Sequence, residues 1–287
     1  MKPDPRFLNQ PKNFWANVRS ISQHVGYTSR GTGQILVPDL PTIVKALREL
    51  GLDAAHVAEE SGNPTKFGDS LRAYFAHRAD VLSKSVEPRL MNAEQAAKAF
   101  ARVKKQTQSK LPIPMNKQKG DKKKPAYLTA MVNMLIDANI GGLPCDYDPR
   151  ELTTFTRMGA PLRTLARLID GAFPSAVNPI AVWEIKEYYY TTTFGSRVAD
   201  GVYETLLDGM ELEELRQSER VDCKHYLTID AHYTWWDCGR SYLCRIVDML
   251  HMGYVDEVLV GTEVLDRLPG LAKEWAALYR TREKPRE

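Results

Sequence analysis

The sequence predicts an α/β protein preceded by a helical region, and three observations lead there. Apolar segments of strand length alternate with helical segments through the second half of the chain. The first part shows helical periodicity and helix punctuation instead. A lysine-rich stretch carrying prolines and a glycine lies between them. At 287 residues the chain can fill two structural regions and bury a sizeable core. The expected division is 1–124, a helical and basic region ending in a linker, and 125–287, an α/β core.

In chain order, the first expected element is a short amphipathic helix from Phe14 that runs into the glycine-rich turn Gly26-Tyr27-Thr28-Ser29-Arg30-Gly31-Thr32-Gly33. Arginine can fork onto guanine, and tyrosine and threonine can reach phosphates, so Arg19, Tyr27 and Arg30 are candidate DNA contacts. The Gly-Thr-Gly piece is neither a P-loop nor a Rossmann turn, since no Gly-Lys-Ser/Thr follows and the third glycine and preceding strand are missing.

A helix is expected from Pro41 to a stop at Gly51, with Ile43, Val44, Leu47 and Leu50 on one face. A second is expected at Ala54–Glu60 and a third at Thr65–Ser85, separated by a Ser-Gly-Asn-Pro turn. This succession could be a helix-turn-helix with Lys66, Arg72 and Arg78 as candidate DNA contacts, but ordinary helix packing is the plainer reading.

The net charge of +3 says little by itself, but ten basic residues gather between Lys98 and Lys124 against Asp121 alone. Such clustering makes a local field that attracts a polyanion. Residues 109–125 read as a loop or linker, with Lys122, Lys123 and Lys124 as candidate phosphate contacts; the plainer reading is a solvated hinge.

Beyond the linker the expected order is a helix at Tyr127–Asp137, a strand at Leu165–Asp170, a strand at Ile180–Lys186 and a helix from Ser196. A strand at His225–Asp230, a helix at Ser241–His251, a strand at Glu257–Val260 and a closing helix complete it. Side chains alternate along a strand, so Glu184 and Lys186 share one face while Ile185 turns into the core and leaves its carbonyl near the edge. Asp170, at the end of the neighbouring strand, can close the site from the side. Two carboxylates and a carbonyl suit Mg²⁺, a hard cation that keeps several positions for water and phosphate. An ammonium beside them suits phosphodiester hydrolysis, orienting water or holding charge that builds on phosphate.

The pattern Leu168-Ile169-Asp170-Gly171 followed by Asn178-Pro179-Ile180-Ala181-Val182-Trp183-Glu184-Ile185-Lys186 resembles the PD-(D/E)xK nucleases, which include most type II restriction endonucleases. The resemblance spans roughly Tyr127 to Val260 and includes a later strand ending in Asp230 before a tryptophan-bearing turn. No proline directly precedes Asp170, and Asp146 or Asp148 could stand in for it. The resemblance implies a mixed central sheet flanked by helices, a restriction endonuclease-like core. It also implies Asp170 and Glu184 as metal ligands beside the Ile185 carbonyl, Lys186 as the catalytic lysine, and site-specific cutting of double-stranded DNA.

The loop from Glu187 to Arg197 is polar and aromatic and lies beside this site, so Tyr190, Ser196 and Arg197 are candidate DNA contacts, the last two at a helix N-terminus that favours phosphate. Packing against a helix is the plainer role for its tyrosines. Asp200 and Glu204, one turn apart on that helix, can reach the site, but a solvated face is the plainer reading. His225, His232 and His251 are too dispersed for a histidine-metal nuclease, and the four cysteines form no Cys-x-x-Cys pair, so neither group is assigned chemistry.

No apolar run approaches the ~20 residues of a membrane span, and Met-Lys-Pro-Asp-Pro is unlike a secretory signal, so a cytoplasmic protein is expected. Two antiparallel DNA strands suggest a homodimer, and restriction would imply a cognate DNA methyltransferase. The competing readings are a structure- or modification-specific repair or phage-defence nuclease, and a DNA-binding protein without catalysis.

Overall fold

Phe14, Trp15, Val18 and Ile21 fall on one side of a helix by spacing alone. In the structure, a computed structural model that describes residues 1–116, 124–190 and 195–282, they are buried on one helix. The single turn α1 (Pro5–Leu8), capped by the Asp4 side chain, leads into that helix, α2 (Lys12–Val25), which stops at Gly26 with φ of 102°. α3 (Leu40–Glu49) starts where the Asp39 side chain accepts from the Thr42 amide at 3.0 Å, with proline in its first turn. α4 (Lys66–Val81) is capped by Thr65 and continues through a wider turn, Leu82–Val86, and a tighter one, Glu87–Arg89.

The helix expected at Ala54–Glu60 is instead a turn. Pro64 and Gly62, the latter at φ of 84°, end the segment, and Glu59 donates its amide to Asn63 O at 2.9 Å. Gly68 permits the close approach that results, because a Cβ there would stand 2.1 Å from the Val57 carbonyl oxygen.

The chain divides into two compact units. One comprises Pro3–Pro88 with Trp235–Gly253; the other comprises Met1–Lys2, Arg89–Thr234 and Tyr254–Glu287. The expected boundary lay at 124, whereas contacts group α5 (Ala93–Thr107) with the sheet and carry a helix from the second half into the helical unit.

The sheet unit has α5, opened by a capping box between Asn92 and Gln95, packed on α6 (Tyr127–Asp137). A hairpin of β1 (Thr154–Arg157) and β2 (Ala160–Thr164) follows, additional to the expected strands. The main sheet has the order β3 (Gly171–Phe173), β4 (Ala181–Glu187), β5 (Lys224–Asp230), β6 (Glu257–Val260). β3 and β4 are antiparallel, whereas β4, β5 and β6 are parallel, so the sheet is mixed.

α7 (Ser196–Glu219) connects β4 to β5, and α8 (Arg240–His251), the helix that joins the other unit, lies between β5 and β6 in sequence. α9 (Glu263–Arg282) closes the described chain. Ala181, Trp183 and Ile185 of β4 join the core on the α6 and α9 face, where Trp183 stacks on Trp275 at 5.6 Å. Val182 faces the opposite way, into a cluster with Leu212 and Leu215 of α7. Helices therefore cover both faces of the sheet.

Residues 165–170 are not a strand. β3 begins only at Gly171, because the Asp170 carboxylate itself accepts the Ile185 amide at 2.7 Å and takes the donor that another ladder residue would need. Among the described residues no helix is long and apolar enough to cross a membrane.

Candidate active site

The site grows from the alternation along β4. Val182, Glu184 and Lys186 project from the face that α7 covers. α7 joins two parallel strands and so runs back along β4 in the opposite sense. Two residues of strand advance about 6.6 Å and one helical turn about 5.4 Å. Leu212 and Leu215 therefore serve Val182, and earlier turns bring Asp208, Glu204 and Gly201 to Glu184 and Lys186. Gly201 leaves room for the lysine stem: a Cβ there would lie 3.2 Å from Lys186 Cδ.

Glu184 is fully buried and Lys186 nearly so. Lys186 Nζ donates to Glu184 Oε2 at 2.7 Å and to Glu204 Oε2 at 3.0 Å. From the loop before β3, Arg167 reaches the same group of acids. Its guanidinium meets Glu184 Oε1 at 2.9 Å and Oε2 at 3.1 Å, Asp208 Oδ2 at 2.5 Å and Glu204 Oε2 at 3.4 Å.

Asp170 sits on the far side of Ile185, its carboxylate on that residue's N–H. Within a strand the N–H and C=O of one residue point to the same edge, so the Ile185 carbonyl faces the edge that β3 leaves vacant. Gly171 is required beside it, because a Cβ there would stand 2.1 Å from the Trp183 ring.

Charge in the site is unbalanced toward acid. Burial raises the Asp170 carboxyl to about 6, with the Glu184 charge adding and Lys186 opposing. The residue as a whole is nonetheless exposed, with its carboxylate on the Ile185 amide. Burial and the Glu184 charge push Asp208 up to about 7 against the pull of Arg167, and its Oδ1 is buried with no hydrogen-bond partner. Burial would raise Glu184, but Lys186 and Arg167 hold it below the usual carboxylate range. Burial would lower Lys186, but Glu184 and Asp170 keep it above the usual lysine range.

The structure thus brings Asp170, Glu184, Ile185 and Lys186 together, and adds Arg167, Glu204 and Asp208. Glu204 is not on a solvated face as expected but on Lys186. The available signal was the spacing Gly201, Glu204, Asp208, one side of a helix carrying a small residue and two acids. Arg167 had no comparable signal, because its loop follows no period.

Among the described residues no group of three or more His, Cys, Asp or Glu side chains is arranged to hold a metal ion. The set expected for Mg²⁺ draws on two side chains and one backbone oxygen. Asp146 pairs its backbone with Ala172 next to β3, and Asp148 pairs with Arg150 on the surface.

The remaining candidates are scattered. Arg197 and Ser196 are exposed in the first turn of α7. Lys124 is exposed with its ammonium 4.7 Å over the Tyr190 ring, while Lys122 and Lys123 lie outside the described residues. In the helical unit Arg19 and Arg30 are exposed, and the Tyr27 ring lies 5.1 Å from the Arg78 guanidinium and 4.9 Å from that of Arg245. Arg78 is buried on Asp248 and cannot reach DNA as expected, whereas Lys66 and Arg72 are at the surface.

His225 Nδ1 donates to Tyr254 O in the sheet unit, His251 is buried in the helical unit, and the His232 amide donates to Met91 O. The four cysteines are free. Asp230 ends β5 by accepting from the Met91 and Ala231 amides and the Tyr189 hydroxyl.

Comparison with curated proteins and with solved structures gave no match. A family described as Domain of unknown function (DUF7690) matches residues 1–85, which lie in the helical unit from Pro3 onward. A second, described as Domain of unknown function (DUF7687), matches residues 91–275 and takes in α5, the sheet and every residue of the β4 site. That match covers more than half of the chain, which therefore belongs to the DUF7687 family.

Proposed function

We propose that this protein is a Mg²⁺-dependent endonuclease acting on double-stranded DNA, with β4 as its catalytic strand. One observation carries the reading: Glu184 and Lys186 share one face of β4 while the Asp170 carboxylate stands on the amide between them. The mixed sheet with helices on both faces agrees with the PD-(D/E)xK resemblance.

The residues fit a hard divalent cation by donor chemistry. Asp170 and Glu184 offer carboxylates, Ile185 offers a carbonyl at a vacant sheet edge, and the surplus of acid, with a buried unpartnered oxygen on Asp208, calls for positive charge. When bound, the metal would supply a water of lowered pKa and offset charge on the phosphate.

Lys186, held protonated by Glu184 and Asp170, keeps an ammonium where it can orient the attacking water or meet a phosphate oxygen. DNA would be drawn in by exposed cations. Lys98, Arg102 and Lys105 lie at i, i+4 and i+7 on the outer face of α5, whose inner face buries Ala96, Ala99 and Val103.

The test is incubation with unmethylated genomic DNA and Mg²⁺, with EDTA as control. Discrete fragments from the native protein are expected. Glu184→Gln and Lys186→Ala should each lower cleavage about 10²- to 10³-fold. Undiminished cleavage in both variants would remove the assignment. A protein that binds DNA but cuts none, plain, modified or branched, would be a binding protein instead.

A further inference from the structure

Arg167 occupies a place that its own segment does not explain. Its neighbours Leu165 and Ile169 are buried, the Leu165 amide donates to Thr153 O at 2.9 Å, and the Ala166 amide donates to Glu211 Oε2 at 3.0 Å. The loop is thereby fixed to α7, and the guanidinium is delivered into the space between β4 and that helix.

One nitrogen serves Asp208 and Glu184, and the other serves Glu184 and Glu204, so one planar cation bridges three carboxylates from two elements. With Lys186 included, two cations face three acids, and Asp170 makes a fourth. A buried charge cluster of this kind is stable only if the acids are neutralised. The arginine side chain is 22% exposed, which leaves it a route toward solvent, whereas Glu184 and Asp208 have none.

We propose that Arg167 is a positioning residue that stands in for the divalent cation. Its guanidinium holds Glu184, Glu204 and Asp208 together in the metal-free site and releases Glu184 when the metal binds. The inference rests on reading the β4 site as a metal site. It explains why Asp208 and Glu204, neither of them among the expected ligands, converge there: they are where the guanidinium remains after Glu184 has been given up.

The experiment is Mn²⁺ binding to the full-length protein without DNA, followed by the electron paramagnetic resonance of free Mn²⁺. Arg167→Gln is expected to bind Mn²⁺ at least tenfold more tightly than the native protein. In EDTA it should melt at lower temperature, and Mn²⁺ should restore the loss. Arg167→Lys, which keeps the charge but cannot bridge with two nitrogens, should fall between the two, and it serves if Arg167→Gln does not fold. Arg163→Gln removes a cation paired with Glu211 and Glu214 on the same helix and should leave the affinity unchanged. Equal affinity in native, Arg167→Gln and Arg167→Lys proteins, with binding still lost in Glu184→Gln, would overturn the role of Arg167 alone. No Mn²⁺ binding by any of them would overturn the metal site, and the proposed function with it.

Discussion

Arg78 in the helical unit and Arg167 in the sheet unit both lie on buried acids, but their surroundings differ in charge balance. Arg78 is 1% exposed and meets one carboxylate, with both Asp248 oxygens at 3.1 Å. Ser22 accepts from it, Tyr74 donates to Asp248, and the rings of Tyr27 and Phe75 lie against it. One charge answers one charge, in a shell of hydroxyls and aromatic faces. Arg167 meets three carboxylates and is partly open to water. A matched pair holds helices together, whereas a surplus of buried acid beneath a partly exposed cation leaves charge unanswered.

The comparison can be broken in order of expected effect. Arg78→Met leaves Asp248 buried without its cation, and denaturant unfolding of the full chain should show a loss of about 3–5 kcal/mol. A loss below about 1 kcal/mol would mean that the pair is not what joins α4 to α8.

Asp208→Asn tests the converse. It removes a surplus charge and should leave stability unchanged or slightly higher, while Asp248→Asn should be clearly destabilising. If the two substitutions cost the same, the contrast between the units is wrong.

The units should also respond oppositely to pH. Asp170 at about 6, and Asp208, Glu187 and Asp230 at about 7, are all raised first by burial above their ordinary values near 4. The folded sheet unit holds these protons more tightly than the unfolded chain does. The contribution of these four groups should therefore be greatest at low pH and fall as pH rises from about 4 to 7, by at most about 1.4 kcal/mol per pH unit for each group, while the lowered Glu184, Asp222 and His225 act in the opposite sense.

His77 and His251, in contact at 3.2 Å in the helical unit, are both lowered first by burial. The folded form binds their protons less tightly, so that unit should be fully stable above about 6.5 and lose stability as pH falls through the lowered values. Hydrogen exchange resolved by region, at pH 5 and pH 7, checks both signs; parallel changes in the two units would refute them.

The smallest effect concerns the surface. Arg19→Ala and Arg30→Ala should each weaken DNA binding uniformly across sequences and reduce the salt slope by about 1, with no change in folding.

Much of this was legible in one dimension. Glu184, Ile185 and Lys186 were correctly placed on strand faces because strand alternation is local, and β6 was read at its observed limits, Glu257–Val260. Caps and breakers located α3 for the same reason. Failures came where a non-local bond decided. Ala54–Glu60 has helical residues but is turned by the Gly62-Asn63-Pro64 closure and the Ala58 to Pro64 pairing. Residues 165–170 read as a strand, yet Asp170 spends its side chain on the Ile185 amide and stops the ladder. Arg78 read as a DNA contact, because the sequence of α4 gives no hint that Asp248 lies 170 residues away.

The sequence alone determined the α/β alternation and the shared face of Glu184 and Lys186, which depend on spacing along one element, and the clustering of basic residues from Lys98 to Lys124. The tertiary structure decided which groups answer those charges. Arg167, Glu204 and Asp208 converge on Glu184 from a loop and a helix, and α8 leaves the sheet unit for the helical one. Charge compensation acts through space, across chain separations that no local period records.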